Sequence, residues 1–165
     1  MTIGVTGHRP NKLPDFGYDY SNPKWLMLKE TFKKILISYN CTEAVCGMAL
    51  GVDTVFAIAV LELKKEGYPI KLHCAIPCLN QSCRWPAKSQ KQYDEILAKA
   101  DVVKVVTEEK YSPYLMQVRN EYMVDISDIM VAVWDGTAGG TGNCVNYIAD
   151  KHKPMIWIKP ENIKE

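Results

Sequence analysis

The stretch IMVAVWDGTAGGTGNCVNYIADKHKPMIWI, Ile129 to Ile158, decides the fold class. Its first six residues form an unbroken apolar run, the mark of a strand buried on both faces. Glycines and small polar residues follow through Asn143. Val145, Ile148 and Ala149 then recur at helical spacing as far as Lys151. Pro154 stops that helix, and Met155–Ile158 reads as a second strand. A helix of this length returns the chain to the edge it started from, so the two strands run parallel.

The same unit repeats toward the N-terminus. Strands are expected at Thr2–Thr6, Ala44–Cys46, Ile70–Ile76 and Val102–Val106. One helix starts after Asn22-Pro23, a good cap with proline at the first helical position, and carries a stripe of Trp25, Leu28, Phe32, Ile35, Leu36 and Tyr39. A second, Asp53–Lys65, is apolar nearly all round and so mostly buried. Others are expected at Lys88–Ala100, Leu115–Ser127 and Asn143–Lys151. Strand and helix alternate throughout. The expectation is one α/β domain over residues 1–165, with a doubly wound, Rossmann-like, mostly parallel sheet of about six strands and helices on both faces.

Composition narrows the function classes. Hydrophobic residues make up 47% and charged residues 24%, and the formal net charge is +1. No apolar stretch is long enough to span a membrane, and the first residues lack a signal-peptide pattern. The near-zero charge makes nucleic acid an unlikely partner on this reading, because such surfaces usually carry a basic excess. Of six cysteines, Cys46 and Cys74 sit inside apolar runs, and the C-x3-C-x4-C spacing of Cys74, Cys78 and Cys83 is not that of common zinc motifs. No metal site and no cofactor are expected. Reduced thiols place the chain in the cytoplasm.

Sheets of this class bind ligands beyond the carboxyl ends of their strands. After the first strand stand Gly7, His8, Arg9 and Pro10. Gly47 and Gly51 follow the second, with Asp53 placed either to cap the next helix or to contact a ribose hydroxyl. Arg84 follows the third. The loop before the last helix holds Gly139, Gly140, Thr141, Gly142 and Asn143, suited to phosphate because glycines admit a close approach and the helix start offers free N–H groups; Asn143 is otherwise an N-cap. It is neither a GxGxxG fingerprint nor a P-loop. The chain has 17 lysines and only three arginines, Arg9, Arg84 and Arg119. Lysine therefore serves the surface, and the arginines stand out as partners for phosphate. His8 and Glu121 are weak candidates for acid–base chemistry.

Val5-Thr6-Gly7-His8-Arg9-Pro10, Gly47 to Asp53, Arg119-Asn120 with Val124-Asp125, and Gly139 to Gly142, in that order, resemble the SLOG superfamily and its YpsA-like branch. That superfamily includes the DNA-processing protein DprA, the LOG phosphoribohydrolases and sensors of cyclic ADP-ribose-type signals in antiphage defence. The resemblance implies a nucleotide-derived ligand at the strand ends and a homo-oligomer. LOG enzymes carry PGGxGTxxE; here Ala138 replaces the proline and Asn146 stands where the glutamate would be. An amide cannot replace that carboxylate, so hydrolysis is disfavoured. The leading expectation is a sensor or sequestering protein for an ADP-ribose-like or cyclic-nucleotide-type signal, in phage defence or counter-defence. The alternatives are a nucleotide N-glycosidase and a regulatory interaction protein.

Overall fold

In the computed structural model, which describes residues 1–164, the chain forms one six-stranded sheet with five α-helices. The strands are β1 (Thr2–Gly7), β2 (Glu43–Cys46), β3 (Lys71–Ile76), β4 (Val102–Val105), β5 (Ile129–Val133) and β6 (Met155–Ile158). The helices are α1 (Pro23–Ser38), α2 (Val52–Lys65), α3 (Ala87–Lys99), α4 (Pro113–Ile126) and α5 (Gly140–Asp150). Strand order is β4-β3-β2-β1-β5-β6, and every neighbouring pair is parallel. This is the Rossmann-like α/β architecture expected from the alternation.

The order has a functional consequence. From β1 the chain steps outward through β2, β3 and β4, then crosses back to place β5 on the other side of β1. With right-handed crossovers, this reversal puts α1–α3 on one face and α4 and α5 on the other. A crevice opens where the direction reverses, between the carboxyl ends of β1 and β5.

The two faces are unequal. One main core joins Trp25, Leu28, Phe32 and Leu36 of α1 to Phe56, Val60 and Leu63 of α2, over Ile3, Val5, Cys46, Leu72 and Val131 of the sheet. Its aromatic centre is the edge-to-face pair Phe32–Phe56, 5.2 Å between centroids. On the other face Val124, Met130, Cys144 and Ile148 form a smaller cluster under α4 and α5. Asn22 caps α1 as its sequence predicts, accepting from the Lys24 N–H at 2.9 Å. Asp53 and Asn143 do not cap. Gly51 and Gly139 occupy the cap positions of α2 and α5, which leaves both polar side chains free for other work. No helix among the described residues is long and apolar enough to cross a membrane.

Candidate functional site

A cavity of about 420 Å³ occupies the crevice between β1 and β5. Three segments wall it: the end of β1 and the turn after it (Thr6–Arg9, Asn11, Lys12), the start of α5 (Gly139–Thr141, Asn143) and one side of α4 (Met116, Gln117, Arg119, Asn120, Met123) with Tyr111 before it. Ala49 and Asp53 complete the floor. The volume lies in the range of small-molecule sites.

The α5 start is the most ligand-ready wall. No side chain caps this helix, so its first N–H groups and the positive end of its dipole stay available. Gly139 has φ +144°, a backbone shape that disfavours side chains. A Cβ on Gly140 would meet nothing within 4 Å, so the backbone there is bare toward the opening. Lys12 reaches this wall from the 3-10 turn after β1, its Nζ donating to the Ala138 carbonyl at 3.3 Å. Arg9 is exposed, and it joins none of the six ion pairs found among the described residues.

Arg119 is a different kind of arginine. It is only 4% exposed. Nη1 donates to the Gly47 carbonyl at 2.6 Å, and Nε donates to Asn120 Oδ1 at 2.9 Å. Gln81 Nε2 donates to the same Gly47 carbonyl at 3.2 Å. Burial pulls the guanidinium pKa down, and the Asp53 charge opposes that pull. Asp53 is buried beside it, with Oδ2 accepting from the Ala49 N–H at 3.3 Å. Burial raises the Asp53 pKa, against the Arg119 charge. Arg119 therefore clamps the β2–α2 turn from beneath the cavity floor.

His8 is held rather than free. Its Nε2 lies 2.8 Å from Asp135 Oδ1, as donor when that nitrogen carries the proton, and 3.2 Å from the Asp135 N–H, as acceptor when it does not. The Thr137 hydroxyl and N–H, with a smaller contribution from His8, keep the Asp135 carboxyl well below the usual carboxylate range. His8 thus ties the β1 turn to the β5 loop.

Of the residues singled out in the sequence, the cavity gathers Gly7, His8, Arg9, Asp53, Arg119, Gly139, Gly140, Thr141 and Asn143. Gly47, Gly51, Gly142, Arg84 and Glu121 are not among its walls. Three of these glycines are explained by packing. A Cβ on Gly47 would overlap the Arg119 guanidinium; on Gly51 it would lie 2.8 Å from the His8 carbonyl; on Gly142 it would lie 2.9 Å from the Thr137 carbonyl. Gly7 lines the cavity but is also required for packing, since its Cβ would overlap Val52. Arg84 is exposed on the β3–α3 loop, and Asn146 is exposed on α5 outside the cavity. Sequence reasoning missed Asn11 and Lys12, and it noted Tyr111 as an aromatic near Arg119 without fixing which way it faces. Lys12 was hidden among the 17 lysines, its only signal being its place three residues after Arg9.

Fold and crevice together define a Rossmann-like α/β protein with a glycine-lined, cationic pocket at the sheet's switch point. The YpsA family model, described as the YspA SLOG family, matches residues 3–158, and the chain belongs to this family. It is 36% identical over 141 residues to the SPbeta prophage-derived protein YoqJ of Bacillus subtilis (strain 168), covering 76% of this chain and 82% of that one. It is 30% identical over 143 residues to a UPF0398 protein of Bacillus cereus (strain ATCC 14579), covering 84% and 77%. Among solved structures, DNA processing protein A from Helicobacter pylori, described for its single-stranded DNA binding mode, superposes with a TM-score of 0.66 at 18% identity. That match covers 100% of this chain and 68% of the other. DprA from Streptococcus pneumoniae gives 0.64 at 14% identity, over 96% of this chain and 50% of that one.

These matches correct one expectation. Nucleic acid was set aside on a net charge of +1, yet a protein of this fold is described by its single-stranded DNA binding. Net charge sums the whole surface. Arg9, Lys12 and Arg119 converge on one cavity whose walls, among the described residues, hold a single carboxylate, Asp53. The distribution matters more than the sum, so a net charge of +1 does not exclude nucleic acid.

Proposed function

We propose that the protein binds a phosphorylated, nucleotide-derived ligand in the β1–β5 cavity and acts by holding it, as a sensor or a sequestering protein. The observation that carries this reading is the convergence of the uncapped α5 start with Arg9 and Lys12. Phosphate sits against the Gly139–Thr141 backbone, with Arg9 and Lys12 as countercharges. Asp53, on the floor, accepts from a ribose hydroxyl. Tyr111, half-exposed at the rim, offers a face for a base. An ADP-ribose-like or cyclic-nucleotide-type signal has these parts. The prophage origin of the 36%-identical relative suits sequestration, in which tight binding and slow release suffice. The six free cysteines suit a cytoplasmic setting.

A second reading places a nucleotide of a single strand, rather than a free one, at the same phosphate site; the likeness to the Helicobacter pylori protein favours it. Calorimetric titration with AMP, ADP-ribose and a short oligodeoxythymidylate tests both. The expected result is binding of at least one of them, weakened at least tenfold by the paired substitution Arg9→Ala and Lys12→Ala. Absence of binding for all three, or equal binding by the variant, overturns the assignment of the cavity.

A further inference from the structure

A pair of tryptophans flanks the α5 start. Trp134 follows the last residue of β5, and Trp157 lies on β6, an edge strand, in register with Ala132. Their ring centroids are 5.6 Å apart with planes tilted by 38°. Trp157 is 46% exposed, unusual for so large a side chain.

Both indole N–H groups are already committed. Trp157 Nε1 donates to the Trp134 carbonyl at 2.8 Å, and Trp134 Nε1 donates to the Thr137 carbonyl at 2.7 Å. The polar edges are thereby fixed within the protein, and what remains outward is ring face. Lys159 Nζ lies 4.9 Å from the Trp157 centroid, a cation resting on that ring. The patch adjoins the cavity wall: Thr137 belongs to the loop that leads into Gly139–Thr141, and a Cβ on Gly142 would stand 3.6 Å from Trp134 Nε1.

An aromatic surface with an exposed cation beside a phosphate site is the combination that single-stranded nucleic acid selects. The stacking is sequence-tolerant because every base has a flat face. The lysine can leave the ring for a backbone phosphate as a base arrives. Asp135, at the root of the same loop, is tied to His8 and Thr137 and so has its charge partly offset. We propose that Trp134, Trp157 and Lys159 form a base-stacking platform for the nucleotide adjoining the one whose phosphate occupies the cavity, so that a short single strand crosses the N-terminus of α5. The platform rests on the second reading above. It makes the preferred occupant at least two nucleotides long.

The test is fluorescence anisotropy of a labelled short oligodeoxythymidylate, beside calorimetry with AMP. Trp157→Ala should weaken oligonucleotide binding about tenfold, the loss of one base stack. Trp157→Phe should retain most of it, and neither substitution should change AMP affinity. Lys159→Ala should lower the salt dependence of oligonucleotide binding by about one unit of slope. Oligonucleotide affinity indifferent to Trp157→Ala overturns the platform, as does a protein that binds AMP but no oligonucleotide; both leave the cavity reading standing. Failure to bind the oligonucleotide, AMP and ADP-ribose alike removes the platform and the cavity reading together.

Discussion

The β2–α2 turn and the β5–α5 loop look alike in sequence, and the fold uses them in opposite ways. Each ends a buried strand, runs through glycines and enters a helix. The β2–α2 turn is closed: Gly47 lies against Arg119, Met48 is wholly buried at φ +57°, and the Gly51 N–H donates to the Tyr20 hydroxyl at 2.8 Å. The β5–α5 loop is open, with Gly136, Thr137, Ala138 and Gly140 all exposed. Glycine serves packing in the first and ligand access in the second. The largest effect expected from this contrast is on Arg119. Arg119→Leu takes the 2.6 Å donor from the buried Gly47 carbonyl and the larger of two cationic influences from Asp53, so stability should fall by about 2–4 kcal/mol. Chemical denaturation measures it. A loss below about 1 kcal/mol would mean that the clamp is dispensable and Arg119 is kept for the ligand alone.

The next contrast sets glycine against glycine. Gly51→Ala forces a side chain onto φ +91° and into the His8 carbonyl and Pro10 ring, at 2.8 and 2.9 Å. It should cost about 2–3 kcal/mol. Gly140→Ala meets nothing within 4 Å and should leave stability within about 0.5 kcal/mol. Its methyl group projects where the phosphate is proposed to sit, so ligand binding should weaken while the melting temperature holds. If the two variants melt alike, the division between packing and access fails.

Part of this contrast was legible in the sequence. The four inner strands were, because burial on both faces leaves them rich in apolar residues, and the edge strands β4 and β6 showed as short apolar runs although they are only partly buried. That these strands end near one another was also legible, since alternation implies a parallel sheet. The role of each glycine was not. What a Cβ would meet is set by distant residues: Val52 for Gly7, and Arg119 for Gly47 across 72 positions. The arginines were conspicuous by rarity, but rarity could not separate exposed Arg9 from buried Arg119. The helix caps misled for a related reason. Asp53 and Asn143 are good capping residues, yet the chain enters both helices through a glycine at positive φ, two residues before Asp53 and four before Asn143.

Arg9 provides a sharper test of the open side. Its side chain has no ion pair to lose, so Arg9→Ala should keep stability within about 0.5 kcal/mol. The same substitution should weaken a phosphorylated ligand about tenfold, by loss of a charge-assisted hydrogen bond. Raising the salt concentration should narrow the gap between wild type and variant, because exposed charges are screened. Arg119→Leu has no such salt dependence to show, since its partners are buried. A salt-insensitive Arg9 effect would place that arginine with the closed region instead.

The smallest expected effect lies where the open loop is anchored. Asp135 is held in its charged form first by the Thr137 hydroxyl, then by the Thr137 N–H and His8. A carboxyl with a depressed folded pKa contributes stability above its unfolded value of about 3.9, and loses it as pH falls toward the folded value. Asp135→Asn keeps an acceptor for Thr137 but has no charge to lose. The wild type should therefore melt slightly higher than the variant near neutral pH, and the two curves should converge in strong acid. The difference stays small because the Asp135 side chain is 38% exposed and water screens it. Parallel thermal melts across the acid range decide the matter. A gap that stays constant with pH would show that the loop is braced by hydrogen-bond geometry alone. A gap that closes would make Asp135 an electrostatic anchor, through which His8 fixes the β1 turn and the α5 start as facing walls of one cavity.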